Sequence, residues 1–441
     1  MQQELQEEQT VAEKDPYRLT RCLNIAGAAL EYFITLMVGG VYLANLSTAI
    51  GLPDALTGVI TAFVSLGLGF QFFAVFFANR TPVKRWTLML HILNQTCFAL
   101  LYFVPGLSVP REGKVAVFVV LLFAGQILLN LGYPSKMNWY MSTVADKERG
   151  RFTANKEIVS LLGAMVYTFL MGLLIDHYTE QGEQNTAFVL CGITLFILMI
   201  LHTLTMVFAR EKSVPRPAGG SVSPFALLRD RRFLAIVGVA CLWNVAFYAT
   251  TPFYGTYQNN ELGFSMTFVA GLAAAYSIVR SLVSRSFGRL ADRTSFAHMM
   301  TVCFVLEAVA FAVNMFTVPA NGYFLFSLYY LLHALGMAGI ESGILNLIYD
   351  YVAPEKRTGA MALQNTISGF AGFFTTLAIS PLVAAIQNNG NHFLGMPLYA
   401  QQVVSGIGTI ACLLLLLYLR VVVMKIPRPK SPAPDEASDA G

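Results

Sequence analysis

"FGRLADRTSFAH", residues 287–298, sets one aspartate and two arginines between two long apolar stretches, with Arg285 just ahead of them. The chain around this knot has 441 residues, of which 56% are hydrophobic and only 12% charged. A soluble globular protein carries about 25% charged residues. So little polar surface cannot cover a water-facing globule, so lipid is the solvent for most of this chain. A compact cluster of charge in it marks a place where the chain leaves the bilayer.

A bilayer core takes about 20 apolar residues per helix. Working outward from the knot, twelve such runs can be read, at about 22–48, 55–78, 87–105, 115–144, 157–175, 186–208, 233–257, 265–286, 298–318, 322–349, 361–386 and 398–424. These are spans 1 to 12 below. The alternating segments of about 10 residues that mark a transmembrane barrel do not occur, so the prediction is an all-α membrane protein. If the N-terminus is cytoplasmic, the 29 basic residues face the cytoplasm, except Arg111 and Lys114 outside and Lys136 and Arg280 within spans. A multi-pass protein of the cell membrane with both termini cytoplasmic follows. Its net charge of +4 then reflects topology, and no nucleic-acid partner is expected. The cysteines (Cys22, Cys97, Cys191, Cys241, Cys303, Cys412) are scattered through apolar spans without CxxC spacing. They read as packing residues, with no disulfide frame, metal or cofactor. The acidic N-terminus, and Glu31 in the first apolar run, give no sign of a cleavable signal peptide.

A polar stretch at 209–232 divides the spans six and six and reads as a cytoplasmic linker. It separates bundles at 21–208 and 233–425, with a cytoplasmic tail at 1–20 and a disordered Pro- and Ser-rich tail at 426–441. The halves repeat each other: "VADKERGRFTANKEIVS" (144–160) resembles "VAPEKRTGAMALQNTIS" (352–368) at an offset of 208. "FFANRTP" (76–82) resembles "RLADRTS" (289–295) at an offset of 213, which also places Gly58 on Gly271. Nearly equal offsets imply duplication of a six-helix unit.

"GRLADR" after span 8, with its weaker twin "VFFANR" after span 2, resembles the Gly-x-x-x-Asp-Arg signature of the major facilitator superfamily, carried in the loops after the second and eighth helices. The resemblance covers about residues 20–425. It implies twelve transmembrane helices in two pseudo-symmetric six-helix bundles that rock about a central site, the cavity being lined by spans 1, 4, 7 and 10. It also implies a latch on the cytoplasmic side. Gly288 would let helices approach, and Asp292 would face the N-terminus of span 5 near Arg151–Glu157. Arg289 or Arg293 would pair with Asp350. In the first copy Asn79, before Arg80, replaces the acid, Val75 the glycine, and Pro82 stands at the second glycine position. A weaker latch is expected there.

A charge near the bilayer centre costs about 2.5–3.5 kcal/mol on insertion scales, so it is paired or functional. Glu31, Lys136 and Glu341 fall at one depth on spans 1, 4 and 10, with Asn244 of span 7 at the repeat position of Glu31. They are the expected substrate and coupling site, with Glu31 as first choice of proton carrier. Lys136 would pair with Glu341 or hold an anionic group, and a permanent structural bridge is the alternative. Arg280 and Glu307, on the antiparallel neighbours 8 and 9, are expected to pair; His91, His202 and His333 read as isolated core histidines. Rings crowd the same helices, among them Tyr32, Tyr133, Trp139, Trp243, Phe247, Tyr248, Tyr254 and Tyr257. Such a lining suits sugar faces, nucleoside-like rings or lipophilic amines, and an interfacial belt accounts for some of it.

These features point to a secondary transporter for a small organic solute, coupled to protons or another ion and acting as a monomer. Span 5, "EIVSLLGAMVYTFLMGLLID", lacks the Gly-Pro-x-x-Gly-Gly run that the resemblance associates with drug antiporters. An acid in span 1 suits uptake and export alike. Uptake is the leading reading and drug efflux its alternative. A receptor or enzyme that kept the fold is the rival from another class, although the GxSxG, HExxH, GxGxxG and phosphate-loop patterns are missing.

Overall fold

The computed structural model describes residues 15–78, 83–144, 149–212, 224–352 and 357–426, nearly all of them helical. Asn79, Arg80, residues 213–223 of the expected linker and both outermost tails lie outside the described residues. Ten described helices are long and apolar enough to cross a membrane. An eleventh span consists of Arg18–Met37 and Gly40–Ala49, which meet at 43°. Val83–Leu101 takes the place of span 3. Its hydropathy falls short because Lys84 and Arg85 open it and His91, Asn94 and Gln95 run through it. Those last three side chains are buried inside the bundle. With it, the passes follow the predicted ones in order, and the fold is the all-α arrangement expected. The strands among the described residues are His392–Phe393 and Met396–Pro397, a two-stranded antiparallel turn between spans 11 and 12. Large apolar residues such as Leu282 and Phe324, each 72% exposed, lie on the outside of the bundle, where lipid solvates them.

Span 8 corrects the placement of the opening stretch. The helix runs Met266–Arg293, beyond the predicted 286, so "GRLADR" forms its last two turns rather than a loop. Ser295 then caps span 9, its hydroxyl accepting from the His298 N–H at 3.0 Å. The charges thus carry the helix out of the apolar layer.

The halves meet chiefly where span 1 packs on 7, 2 on 11 and 5 on 8, with span 7 also touching the start of span 2. At the end of the bundle opposite the termini the duplication becomes visible in the backbone. Span 1 breaks after Met37, and Gly40 takes a φ of +50°, which favours glycine. Span 7 breaks after Tyr248 into a 3-10 turn Thr251–Phe253 around Pro252, then Tyr254–Thr256 and a π-turn Tyr257–Glu261. At the repeat offset the two breaks coincide. Their outer limbs cross where a Cβ on Gly255 would lie 2.8 Å from the Gly40 carbonyl oxygen, so the backbones touch directly.

Candidate functional site

Between the halves lies a cavity of ≈ 340 Å³. Tyr32, Thr35, Leu36 and Gly39, spaced three and four apart, give it one face of span 1. Small residues of span 8, including Ala270, Ala273, Ala274 and Ser277, give it another. Span 10 adds Tyr329, Tyr330 and His333, and spans 5 and 7 complete the wall. Among the described residues its lining holds no Asp, Glu, Lys or Arg: it is made of rings, hydroxyls, small apolar side chains and the Gln258 amide. The expectation of a cavity walled by spans 1, 4, 7 and 10 is corrected in one respect, since spans 5 and 8 stand where span 4 was expected.

Span 4 instead supplies the cation of an ion pair. Lys136 Nζ donates to both carboxylate oxygens of Glu31, and the side chains are 12% and 17% exposed. The Tyr133 ring lies 5.9 Å from the same ammonium. Lys136 therefore pairs with Glu31, not with Glu341. Glu341 is held by Arg280 of span 8. Arg280 in turn is not the partner of Glu307, which is fully buried and bonded to His333: Nδ1 lies 3.0 and 2.8 Å from the two carboxylate oxygens. The histidines are not isolated either. The His91 and His202 rings are 4.0 Å apart, and His202 Nδ1 lies 3.1 Å from Gln95 Nε2.

The other predicted residues fall in different places. Tyr32 lines the cavity. Trp243, 6% exposed, packs in the core at 5.6 Å from both Phe247 and Phe304. Tyr248 stands between spans 7 and 11: its carbonyl accepts from the Thr376 hydroxyl at 2.6 Å and its ring lies against Gly372. Asn244 Nδ2 donates back to the Ala240 carbonyl at 2.9 Å. Asn244, Trp243 and Tyr248 do not border the cavity.

In the gating motif, Gly288 is exposed, and a Cβ there would meet nothing within 4 Å. Among the described residues the close helix approach expected at this glycine is not seen. Arg289 and Arg293 are exposed and Asp350 is half-buried at the end of span 10. The side chain of Asp292 lies outside the described residues.

A carboxylate capping a helix across the halves does occur, at the opposite end of the bundle. Asp176, near the end of span 5, accepts from the Met266 and Thr267 N–H groups at 2.8 and 2.7 Å, where span 8 begins. Those N–H groups lack helical partners, and the helix dipole favours the anion. The repeat supplies a counterpart. Gln387 of span 11 donates to Asp54 at the start of span 2 at 2.9 Å, and Asn260 of span 7 donates to the other oxygen at 2.9 Å. Ser380 to the Ala55 carbonyl, 2.8 Å, extends this contact. Sequence reading missed both latches, because an acid at the end of a span costs nothing in water and raises no alarm. The offset of the repeat was the usable signal: Asp176 maps within a few positions of Gln387, and Asp54 of Met266.

A cavity on the axis of two repeated helical bundles, bridged at one end by paired latches and flanked by ion pairs, defines a two-halved helical membrane protein. The chain belongs to the Major Facilitator Superfamily, whose profile matches residues 25–376 and 259–440. It is 24% identical over 188 residues to the alpha-ketoglutarate permease of Escherichia coli (strain K12), an alignment that spans 41% of this chain and 43% of that one. The chain is thus matched to less than half of that relative's length. Among solved structures it resembles the nucleoside transporter NupG (TM-score 0.66, 15% identity, 93% of this chain and 99% of that one). It also resembles a D-xylose-proton symporter (TM-score 0.67, 13% identity, 90% and 97%). The xylose transporter XylE from E. coli, in an inward-open conformation, gives TM-score 0.65 at 12% identity over 93% and 97%. At these identities the likeness is one of fold.

Proposed function

We propose that this secondary transporter takes up a small, uncharged, ring-bearing solute across the cytoplasmic membrane by alternating access, driven by protons through Glu31. The observation that carries the substrate reading is the cavity itself: ≈ 340 Å³ walled by rings, hydroxyls and small apolar side chains, with no acid, Lys or Arg among the described residues of its wall. Rings stack on sugar or nucleobase faces, and Thr35, Thr251, Tyr276 and Ser277 offer hydroxyls to a hydroxylated edge. The named nucleoside and xylose transporters among the structural neighbours fit that chemistry. The relative named for alpha-ketoglutarate favours a second reading, a carboxylate solute. Against it, Lys136 and Arg280 each already hold a carboxylate of the protein.

Coupling follows from the Glu31–Lys136 pair. With Glu31 ionised, spans 1 and 4 are tied by a half-dry salt bridge. A proton on Glu31 removes the charge that holds Lys136 and frees span 1, whose Tyr32 and Thr35 touch the solute space one turn away. With the termini cytoplasmic, the latches at Asp176 and Asp54 close the external side, and the solute leaves inward.

The test is uptake into proteoliposomes under an imposed pH gradient, with D-xylose, uridine and 2-oxoglutarate as probes. Accumulation of xylose or uridine that collapses with the gradient supports the reading. Accumulation of 2-oxoglutarate alone replaces it with the carboxylate reading. Binding without transport of any probe would favour a receptor.

A further inference from the structure

The Glu307–His333 dyad plays no part in the coupling scheme above, yet one end of it reaches the solute space. Glu307 sits wholly inside the C-terminal bundle, where span 10 comes so close that a Cβ on Gly336 would lie 2.5 Å from Glu307 Oε1. The partner found for its carboxylate is His333 Nδ1. The titratable groups around the dyad are Tyr254 of span 7, Tyr276 of span 8, Cys303 of span 9, Tyr329 of span 10 and Cys412 of span 12. None of them is a cation. Arg280, one turn beyond Tyr276 on span 8, holds Glu341. The imidazole is walled by rings: Tyr329 and Tyr276 at 5.6 Å each and Phe247 at 6.1 Å. Its edge borders the cavity.

Two charge states are open to this dyad. With one proton, on Nδ1, the carboxylate is ionised, the imidazole neutral, and Nε2 offers a lone pair to the cavity. That state leaves a net negative charge buried at membrane depth with no cation facing it among the described residues, which is the costly condition. A second proton makes the dyad net neutral. The proton arrangement inside the Nδ1···O bond then no longer matters, because both arrangements leave a hydrogen on Nε2. The cavity-facing nitrogen changes from acceptor to donor, and the surrounding π faces favour any positive charge on the ring.

We propose that Glu307 and His333 form a second protonation site, in the C-terminal half, whose neutral form presents the His333 Nε2–H to the cavity as the donor that recognises a hydroxyl or carbonyl oxygen of the solute. The proton site stands on the dyad's geometry alone; its role in recognition rests on the transport reading above. Glu307 is then a positioning residue, setting the form of the imidazole without touching the solute.

The experiment is nitrogen NMR on full-length protein labelled at histidine and held in nanodiscs at neutral pH, His333 being assigned by the signal lost in His333→Gln. A hydrogen-bearing Nε2 in the wild type, altered in Glu307→Gln, is the expected result. A bare Nε2 in the wild type overturns the proposal even if Glu307→Gln does not fold. Recognition is read separately by calorimetric binding of D-xylose and uridine. His333→Phe keeps a ring against Tyr329 but loses the donor, so whichever probe binds the wild type should bind about 2- to 10-fold more weakly, the worth of one neutral hydrogen bond. His333→Gln keeps a donor and should restore part of that affinity while flattening its dependence on pH. Equal binding by His333→Phe and wild type sinks the recognition role. If neither probe binds the wild type, the transport reading fails for these solutes, and the NMR result still decides the proton site.

Discussion

Asp176→Asn tests the mechanism of closure most directly. The carboxylate receives two backbone N–H groups at the start of span 8, at 2.8 and 2.7 Å, from across the interface between the halves. Asparagine keeps the shape and one acceptor but loses the charge. Ser265 still caps span 8, its hydroxyl accepting from the Phe268 N–H at 3.1 Å, so the helix itself should persist and the loss should fall on the interface. A partly buried anion at a helix N-terminus is worth up to ~2 kcal/mol, and losing most of it costs the closed state about 1–2 kcal/mol. At roughly 1.4 kcal/mol per tenfold, the ratio of closed to open outer ends falls about 5- to 30-fold. The assay uses Thr35→Cys in the cavity wall and an impermeant maleimide applied from the side opposite the termini. Its rate should rise by that factor in the Asp176→Asn background over Thr35→Cys with Asp176 intact, after labelling of the native cysteines is subtracted. Asp54→Asn should produce a similar rise, and the two should add because they share no partner. Unchanged labelling in both variants would mean that the latches do not hold the gate.

Other perturbations separate the remaining parts. Glu31→Gln mimics the protonated carboxyl, so solute counterflow should survive while gradient-driven accumulation disappears; loss of both would make Glu31 a structural group. Lys136→Met leaves Glu31 buried without its cation, and a loss of about 3–5 kcal/mol is expected in denaturation, largely recovered when Glu31→Gln is added. Gly255→Val puts a branched side chain where 2.8 Å separates a Cβ from the Gly40 carbonyl, so it should prop the outer end open and raise Thr35→Cys labelling. Gly336→Ala should lower thermal stability by about 1–3 kcal/mol through overpacking against Glu307, and a neutral outcome would mean that Glu307 can swing away.

The fold was legible because hydropathy reports depth, and depth sufficed to lay out the passes, while the repeat offset gave the two halves. The site was less so, because depth does not report the direction in which a residue faces around its helix. Glu31, Lys136 and Glu341 do stand on spans expected to meet. Rotation about each helix axis gave Lys136 to Glu31 and turned Glu341 to Arg280 on span 8. The same gap hid the dyad, whose two members are 26 residues apart on adjacent antiparallel spans and look like unrelated singletons in the sequence. The breaks in spans 1 and 7 were half legible. Pro252 marked one, but the glycine pair Gly39–Gly40 gave no sign of a crossing until its partner Gly255 was placed against it.

Span 3 carries a consequence for how the protein is made. Its Asn94 donates to the Gly125 carbonyl at 2.8 Å, and Gln95 lies beside His202 at 3.1 Å, so these two amides find those partners only in later parts of the chain. Released alone into lipid, the helix would carry them unpaired, at a cost of several kcal/mol. Gly125 emerges with the next span, but His202 lies 107 residues downstream of Gln95. The packing of this helix is therefore complete only once the sixth span has been made.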